Sequence, residues 1–170
     1  MHALEVKIFN EVYVVVSKWI FNWYMEIGMM ETDRYDEVVG FWDQIYGLKM
    51  TSMKPEVLRE ASIELVPTEK ILSEAAVVLN LDLKTCHVQD TEFFAAFTLQ
   101  MRRDDRLTAL VGSFDVSFNL DETVILSTSP YDAPTHWKQT VFYLPQPMNV
   151  LSGTPNPNKC ETCLIDSVMQ

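Results

Sequence analysis

Ser113-Phe114-Asp115-Val116-Ser117-Phe118 alternates strictly, with Phe114, Val116 and Phe118 on one side and Ser113, Asp115 and Ser117 on the other. Successive side chains of an extended chain point to opposite faces, so apolar residues at every second position mark a strand with one buried and one wet face. The same period runs through Leu79, Leu81 and Leu83, which alternate with Asn80, Asp82 and Lys84. It returns in Phe97, Leu99 and Met101, which alternate with Thr98, Gln100 and Arg102. Arg103-Asp104-Asp105 is a polar break between two such runs, and Val124–Leu126 and Thr140–Leu144 add further strand candidates. Half-buried strands of this kind belong to antiparallel sheets. Residues 77–145 are therefore expected to form an all-β unit, a barrel or a sandwich.

Outward from that unit the pattern changes. Tyr35, Val38, Val39, Trp42, Ile45 and Tyr46 recur at helical spacing, which predicts one helix over 33–46 with Asp33 as N-cap and Gly47 as stop. Pro55 to Ala61 predicts a short helical turn opened by proline. Residues 19–30 carry Trp, Phe, Tyr and Met with little period, and a buried helix or an irregular aromatic segment is expected there. Val12-Tyr13-Val14-Val15-Val16 is strand-like. After Val150 the pattern fails and turn residues take over, so 151–170 is expected to be an irregular tail.

The 170 residues suffice for one domain, or one and a fraction. The formal net charge of −11 argues against a general grip on nucleic acid or on an anionic membrane and favours basic partners. The five glycines, Gly28, Gly40, Gly47, Gly112 and Gly153, are too far apart for the loops that cradle phosphates or dinucleotides. Cys86, Cys160 and Cys163 do not make a secreted disulfide framework, and a reducing cytoplasmic or nuclear setting is expected. Glu5 and Glu11 stand where a signal peptide needs basic residues. Glu11, Lys18 and Glu26 interrupt the apolar stretch from Ile8 to Met30, so no bilayer span is expected.

Few residues carry chemistry. Cys160-x-x-Cys163 has no second pair to complete a zinc site, so no metal is expected. His87 reads as an edge histidine. Thr135-His136-Trp137 lies in a loop directly before a strand. A strand that holds a loop histidine is a common way to place a base or an orienting group.

That loop and one upstream segment resemble a known family. Thr135-His136-Trp137 followed by Lys-Gln-Thr-Val-Phe is similar to the THW loop of class I protein arginine N-methyltransferases. Ser127-Thr128-Ser129-Pro130 fits the strand end before it. Phe41-Trp42-Asp43-Gln44-Ile45-Tyr46-Gly47-Leu48-Lys49-Met50 is similar to the family's dimerisation arm. The likeness is to type I members, nearest to the arginine methyltransferase 3 branch, and runs from about Asp33 to Gln146. Such enzymes join a Rossmann domain that binds S-adenosylmethionine to a β-barrel, from which a helical arm docks on the partner's Rossmann domain.

The resemblance implies the following. The fold is mainly β, an incomplete antiparallel barrel with an N-terminal helical dimerisation arm and no Rossmann domain. Residues 1–32 are a divergent remnant of the end of the catalytic core, 33–62 the arm, 63–150 the barrel and 151–170 the tail. Val14 to Glu26 is similar to the strand and double-glutamate loop before the barrel, where two carboxylates hold the substrate guanidinium. Lys18 stands at the first glutamate position and Glu26 lies one residue before the second. His136 and Glu26 are the implied catalytic residues, Trp137 lines the arginine site, and Trp42 and Tyr46 belong to the arm. No cofactor is expected for this chain, although intact members use S-adenosylmethionine. The chain is expected to be a truncated or degenerate arginine methyltransferase, inactive alone. The alternative is a binding module that docks on a full-length methyltransferase or on basic substrates. Implied partners are an arginine-containing protein or a methyltransferase paralogue, in a homo- or heterodimer.

Overall fold

A computed structural model describes residues 20–91, 93–97, 99–119, 122–152 and 163–166. The expected strand at 12–16, Lys18 and Cys160 lie outside them. The long strands are β1 (Ile20–Met30), β5 (Asp105–Asn119) and β7 (Gln139–Val150). Shorter ones are β2 (Ser62–Glu64), β3 (Ala76–Asp82), β4 (Phe94–Phe97), β6 (Thr123–Ser127) and β8 (Cys163–Asp166). The main sheet is antiparallel in the order β2-β7-β5-β1-β3, with β6 also on β5. Among the described residues this path does not return on itself, so the barrel is incomplete, as expected. β4 pairs with β8 in a separate two-stranded piece, so the tail read as irregular contains a strand.

Residues 19–30 differ from expectation. Ile20–Met30 is neither helix nor irregular but the strand between β5 and β3. Its two faces enter different cores: Ile27 joins one buried cluster and Met30 the other. A strand covered on both faces needs no polar alternation, which is why the period was missing. The boundary expected at residue 32 is therefore no break, because the sheet already includes β1.

Those two cores organise the molecule. Ile27, Leu72, Leu81, Leu107, Leu110 and Leu144 fill the barrel side. Met30, Val66, Ile71, Ala109, Val111, Val141 and Tyr143 fill the other face with Tyr35 and Val39. Each such side chain stabilises by roughly 1.5–3 kcal/mol on burial. Leu107 and Leu110 share a core although three residues apart, because the β5–β7 register slips between Leu107 and Ala109. Buried Thr108 sits at that slip, where its Oγ1 accepts from Thr32 N at 2.9 Å and donates to Met30 O at 3.4 Å.

The helix expected over 33–46 is interrupted. α1 covers only Arg34–Val38, and a 3-10 turn follows at Gly40–Asp43. Tyr35 and Val39 are buried one turn apart, but Trp42 is only half-buried and Tyr46 is fully exposed. Beyond Val39 no packed face pulls the chain along a helix, and Gly40 disfavours one. Tyr46 (φ 50°) and Gly47 (φ 82°) instead form a tight hairpin turn closed by reciprocal Ile45–Leu48 backbone bonds of 2.8 and 2.9 Å. Two successive positive φ values are the signature of a type I′ turn. Asp33 makes no side-chain cap; Thr32 Oγ1 accepts from Arg34 N at 3.2 Å. The proline-opened turn is present as α2 (Lys54–Arg59).

Candidate functional site

Along one edge, β5 pairs with β7 up to Gly112 and with β6 from Asp115 onward. The loop 128–138 that links β6 to β7 leaves the sheet at this junction. Both of its ends are fixed by buried polar groups. Thr128 Oγ1 accepts from Phe114 N at 2.8 Å and donates to Phe114 O at 3.0 Å. Gln139, 3% exposed, donates from Nε2 to Thr128 O at 2.7 Å and accepts at Oε1 from Val66 N at 2.9 Å. Thr68 Oγ1 donates to Pro130 O at 2.9 Å. Lys138 (φ 57°) turns the chain back into β7.

On this fixed loop His136 and Trp137 are presented to solvent. Their rings stack with centroids 3.8 Å apart and planes at 34°. Trp137 is 46% exposed and meets Phe114 edge-on at 6.4 Å. The pair is held by local packing with no ligand needed to order it.

Glu26 is in the middle of β1, opposite Ser113 of β5, rather than in a loop before the barrel. Burial, and then the charges of Asp115 and Asp132, push its carboxyl above the usual carboxylate range. Asp132 belongs to the same loop as His136 and Trp137, so the loop brings negative charge towards Glu26. The partner glutamate of a guanidinium clamp would fall at Lys18, outside the described residues.

The arm side is built from different groups. Buried Glu64 of β2 pairs with Arg34 of α1 at 3.1 Å and accepts from Tyr143 of β7 at 2.8 Å, and Ser62 Oγ donates to it as well. Burial and Glu64 hold the Tyr143 hydroxyl far above the usual tyrosine range. Tyr35 packs edge-on against Tyr143 at 6.1 Å and donates to Pro145 O at 3.4 Å. Beyond this root, Phe41, Tyr46 and Leu48 are all more than half exposed, and Phe41 stacks edge-on with Trp42 at 5.5 Å. Sequence reasoning singled out Trp42, Tyr46, His136, Trp137 and Glu26 but missed Gln139, Thr128 and Glu64. A polar residue amid the apolar strand Gln139-Thr-Val-Phe-Tyr-Leu was the available signal for Gln139.

The sequence model described as the arginine methyltransferase oligomerization subdomain matches residues 24–156. The chain belongs to the protein arginine N-methyltransferase family. The match reaches beyond the expected 33–146 at both ends, and at its start takes in most of β1. Protein arginine N-methyltransferase 1 of Schizosaccharomyces pombe is 34% identical over 124 residues, 72% of this chain and 36% of that protein. Protein arginine N-methyltransferase 1 of Chlamydomonas reinhardtii is 39% identical over 107 residues, 62% of this chain and 31% of that protein. The chain thus spans about a third of the length of these relatives. Among solved structures, the Trypanosoma brucei arginine methyltransferase 1 enzyme–prozyme heterotetramer with AdoHcy superposes with a TM-score of 0.74 at 30% identity, over 78% of this chain and 43% of that one. Arabidopsis thaliana protein arginine methyltransferase 10 shares the fold, with a TM-score of 0.61 at 20% identity over 78% of this chain and 47% of that one.

Proposed function

We propose that this arginine methyltransferase chain acts as a barrel-and-arm module that does not transfer methyl groups by itself and docks through its arm on a full-length methyltransferase. The observation that carries this reading is the arm: a rigid root, followed by Phe41, Tyr46 and Leu48 held out to solvent. Apolar side chains gathered on one projection favour a protein partner. The oligomerization subdomain that the chain matches, and the heterotetrameric assembly of one structural relative, support the same direction. The spacing of the five glycines leaves no phosphate-cradling loop within these 170 residues, so in this proposal S-adenosylmethionine is held by the partner. Within the type I members the arm motif Phe41–Met50 places the chain beside the arginine methyltransferase 3 branch.

His136 and Trp137 then form a wall of an arginine site. A flat aromatic pair suits stacking by a planar guanidinium, and the negative charge of Glu26, Asp115 and Asp132 favours a cation nearby. Glu26 supplies charge here and does not clamp. The test is size-exclusion chromatography with a full-length paralogue. A co-migrating complex is expected, weakened by Trp42→Ala and by Tyr46→Asn, which keeps the left-handed turn residue. Absence of any complex refutes docking. Methylation of an Arg/Gly-rich peptide by the purified chain alone, with labelled S-adenosylmethionine, refutes the catalytic part.

A further inference from the structure

Away from the arm and the His136 loop, the end of β3 carries a cleft of its own. The chain turns at Leu83–Thr85 and comes back in a single helical turn, Val88–Thr91. Cys86 N donates to Asp82 O at 2.8 Å, which folds the returning segment over the strand. Asp82 Oδ1 accepts from Lys84 N at 3.0 Å and Asp90 Oδ2 from His87 N at 2.7 Å, so both carboxylates are pinned by the turn they cap. An open cleft of about 410 Å³ results, lined among others by Leu79, Leu81, Asp82, Cys86, Asp90 and Phe93. Leu81 is buried, and Cys86 and Phe93 are partly buried against the barrel core. The floor is therefore apolar, and two fixed carboxylates stand at its rim. Lys84 belongs to the turn but does not line the cleft.

We propose that this cleft seats a cationic side chain, Arg or Lys, of a basic peptide. Arg and Lys carry a charged head on a long aliphatic stem, and they lay the stem on apolar surface while the head reaches polar groups. An apolar floor beneath an acidic rim is the complement of that shape. The space falls within the 300–1,000 Å³ typical of ligand pockets, at its lower end. The net charge of −11 steers basic peptides towards the chain and repels acidic ones. β3 is at one end of the sheet order, with β1 and β5 between it and the β6–β7 loop, so this seat is separate from the His136–Trp137 wall. It is also independent of arm docking.

Cys86 gives the cleft a built-in reporter. The full chain is treated with iodoacetamide at low ionic strength, and the rate of Cys86 labelling is followed by peptide mass mapping, with Cys160 and Cys163 as internal references. Saturating tri-arginine or tri-lysine is expected to slow Cys86 labelling at least threefold relative to the references. Tri-glutamate is expected to leave it unchanged, and 0.5 M salt to abolish the protection. In Asp82→Asn/Asp90→Asn, which retains carbonyl acceptors for the turn, the protection is expected to disappear. Equal labelling with and without tri-arginine overturns the proposal, as does equal protection by tri-glutamate. Undiminished protection in the double variant, or at 0.5 M salt, also overturns it. The comparison of the basic and acidic peptides on the native chain decides the matter even if the double variant fails to fold.

Discussion

Replacing Gln139 by leucine removes the bond to Val66 N and the bond to Thr128 O at once, while nearly preserving side-chain volume. Gln139 is 3% exposed, so water has no access to replace either partner. A buried backbone group left unpaired costs about 1–3 kcal/mol, and two such groups cost about 2–6 kcal/mol. Leucine recovers part of this by its own burial, about 1 kcal/mol or more. A net loss of about 3 kcal/mol is expected, a large share of the roughly 5–15 kcal/mol that holds a domain folded. With a urea slope of about 2 kcal/mol/M, the midpoint should fall by about 1.5 M. Gln139→Glu makes the argument specific. It keeps an acceptor for Val66 N but sets a carboxylate against Thr128 O. It should be as damaging as leucine at pH 7 and recover at acid pH, where a protonated carboxyl donates again. Urea unfolding followed by tryptophan fluorescence measures both variants. A leucine variant within 0.5 kcal/mol of the parent, or a glutamate variant that shows no recovery on acidification, refutes the assigned bonds.

Glu64→Ala should destabilise by about 2–3 kcal/mol in chemical denaturation, since it strands the buried Tyr143 hydroxyl while half-exposed Arg34 regains water. Thr108→Val, matched in shape, should cost about 1–2 kcal/mol by leaving Thr32 N without its acceptor, and amide exchange should rise at Thr32. Glu26 has a folded-state pKa above its unfolded value, so its contribution to stability is complete below about 4.5 and is lost as pH rises through the folded value. Glu26→Gln should therefore stabilise the protein at pH 7, by about 0.5 kcal/mol or less for so exposed a group, and the gain should vanish near pH 4 in thermal melts taken across that range.

Strands with one wet face were legible because polar and apolar residues must alternate along them. Phe114, Val116 and Phe118 fall within β5, and Val124–Leu126 within β6. β1 was not legible, since neighbours on both edges and cores on both faces erase the period that a sequence displays. The arm failed differently. Tyr35 through Tyr46 keep helical spacing, but only Tyr35 and Val39 find a core, and spacing alone does not hold a helix against Gly40 and open solvent. Of the site, the exposed aromatics His136 and Trp137 stood out because large rings in a loop are conspicuous. Gln139 and Thr128 did not stand out. Their roles depend on partners at residues 66 and 114, and pairings so distant leave no local mark.

Those unseen groups determine how the two proposed surfaces relate. Gln139, Val141 and Tyr143 alternate along β7 and are all buried. The first anchors the His136–Trp137 loop, the second lies in the core beneath α1, and the third meets Glu64 and Tyr35 at the root of the arm. Residues four apart on one strand are about 13 Å apart. One face of one paired strand thus carries the foundation of both the loop and the arm. A partner that grips Phe41 and Tyr46 pulls on a base welded by buried bonds, so docking fixes where the loop is aimed and does not remodel it. The contribution to an assembly is then geometric: the arm sets the orientation in which the stacked His136–Trp137 pair faces the partner.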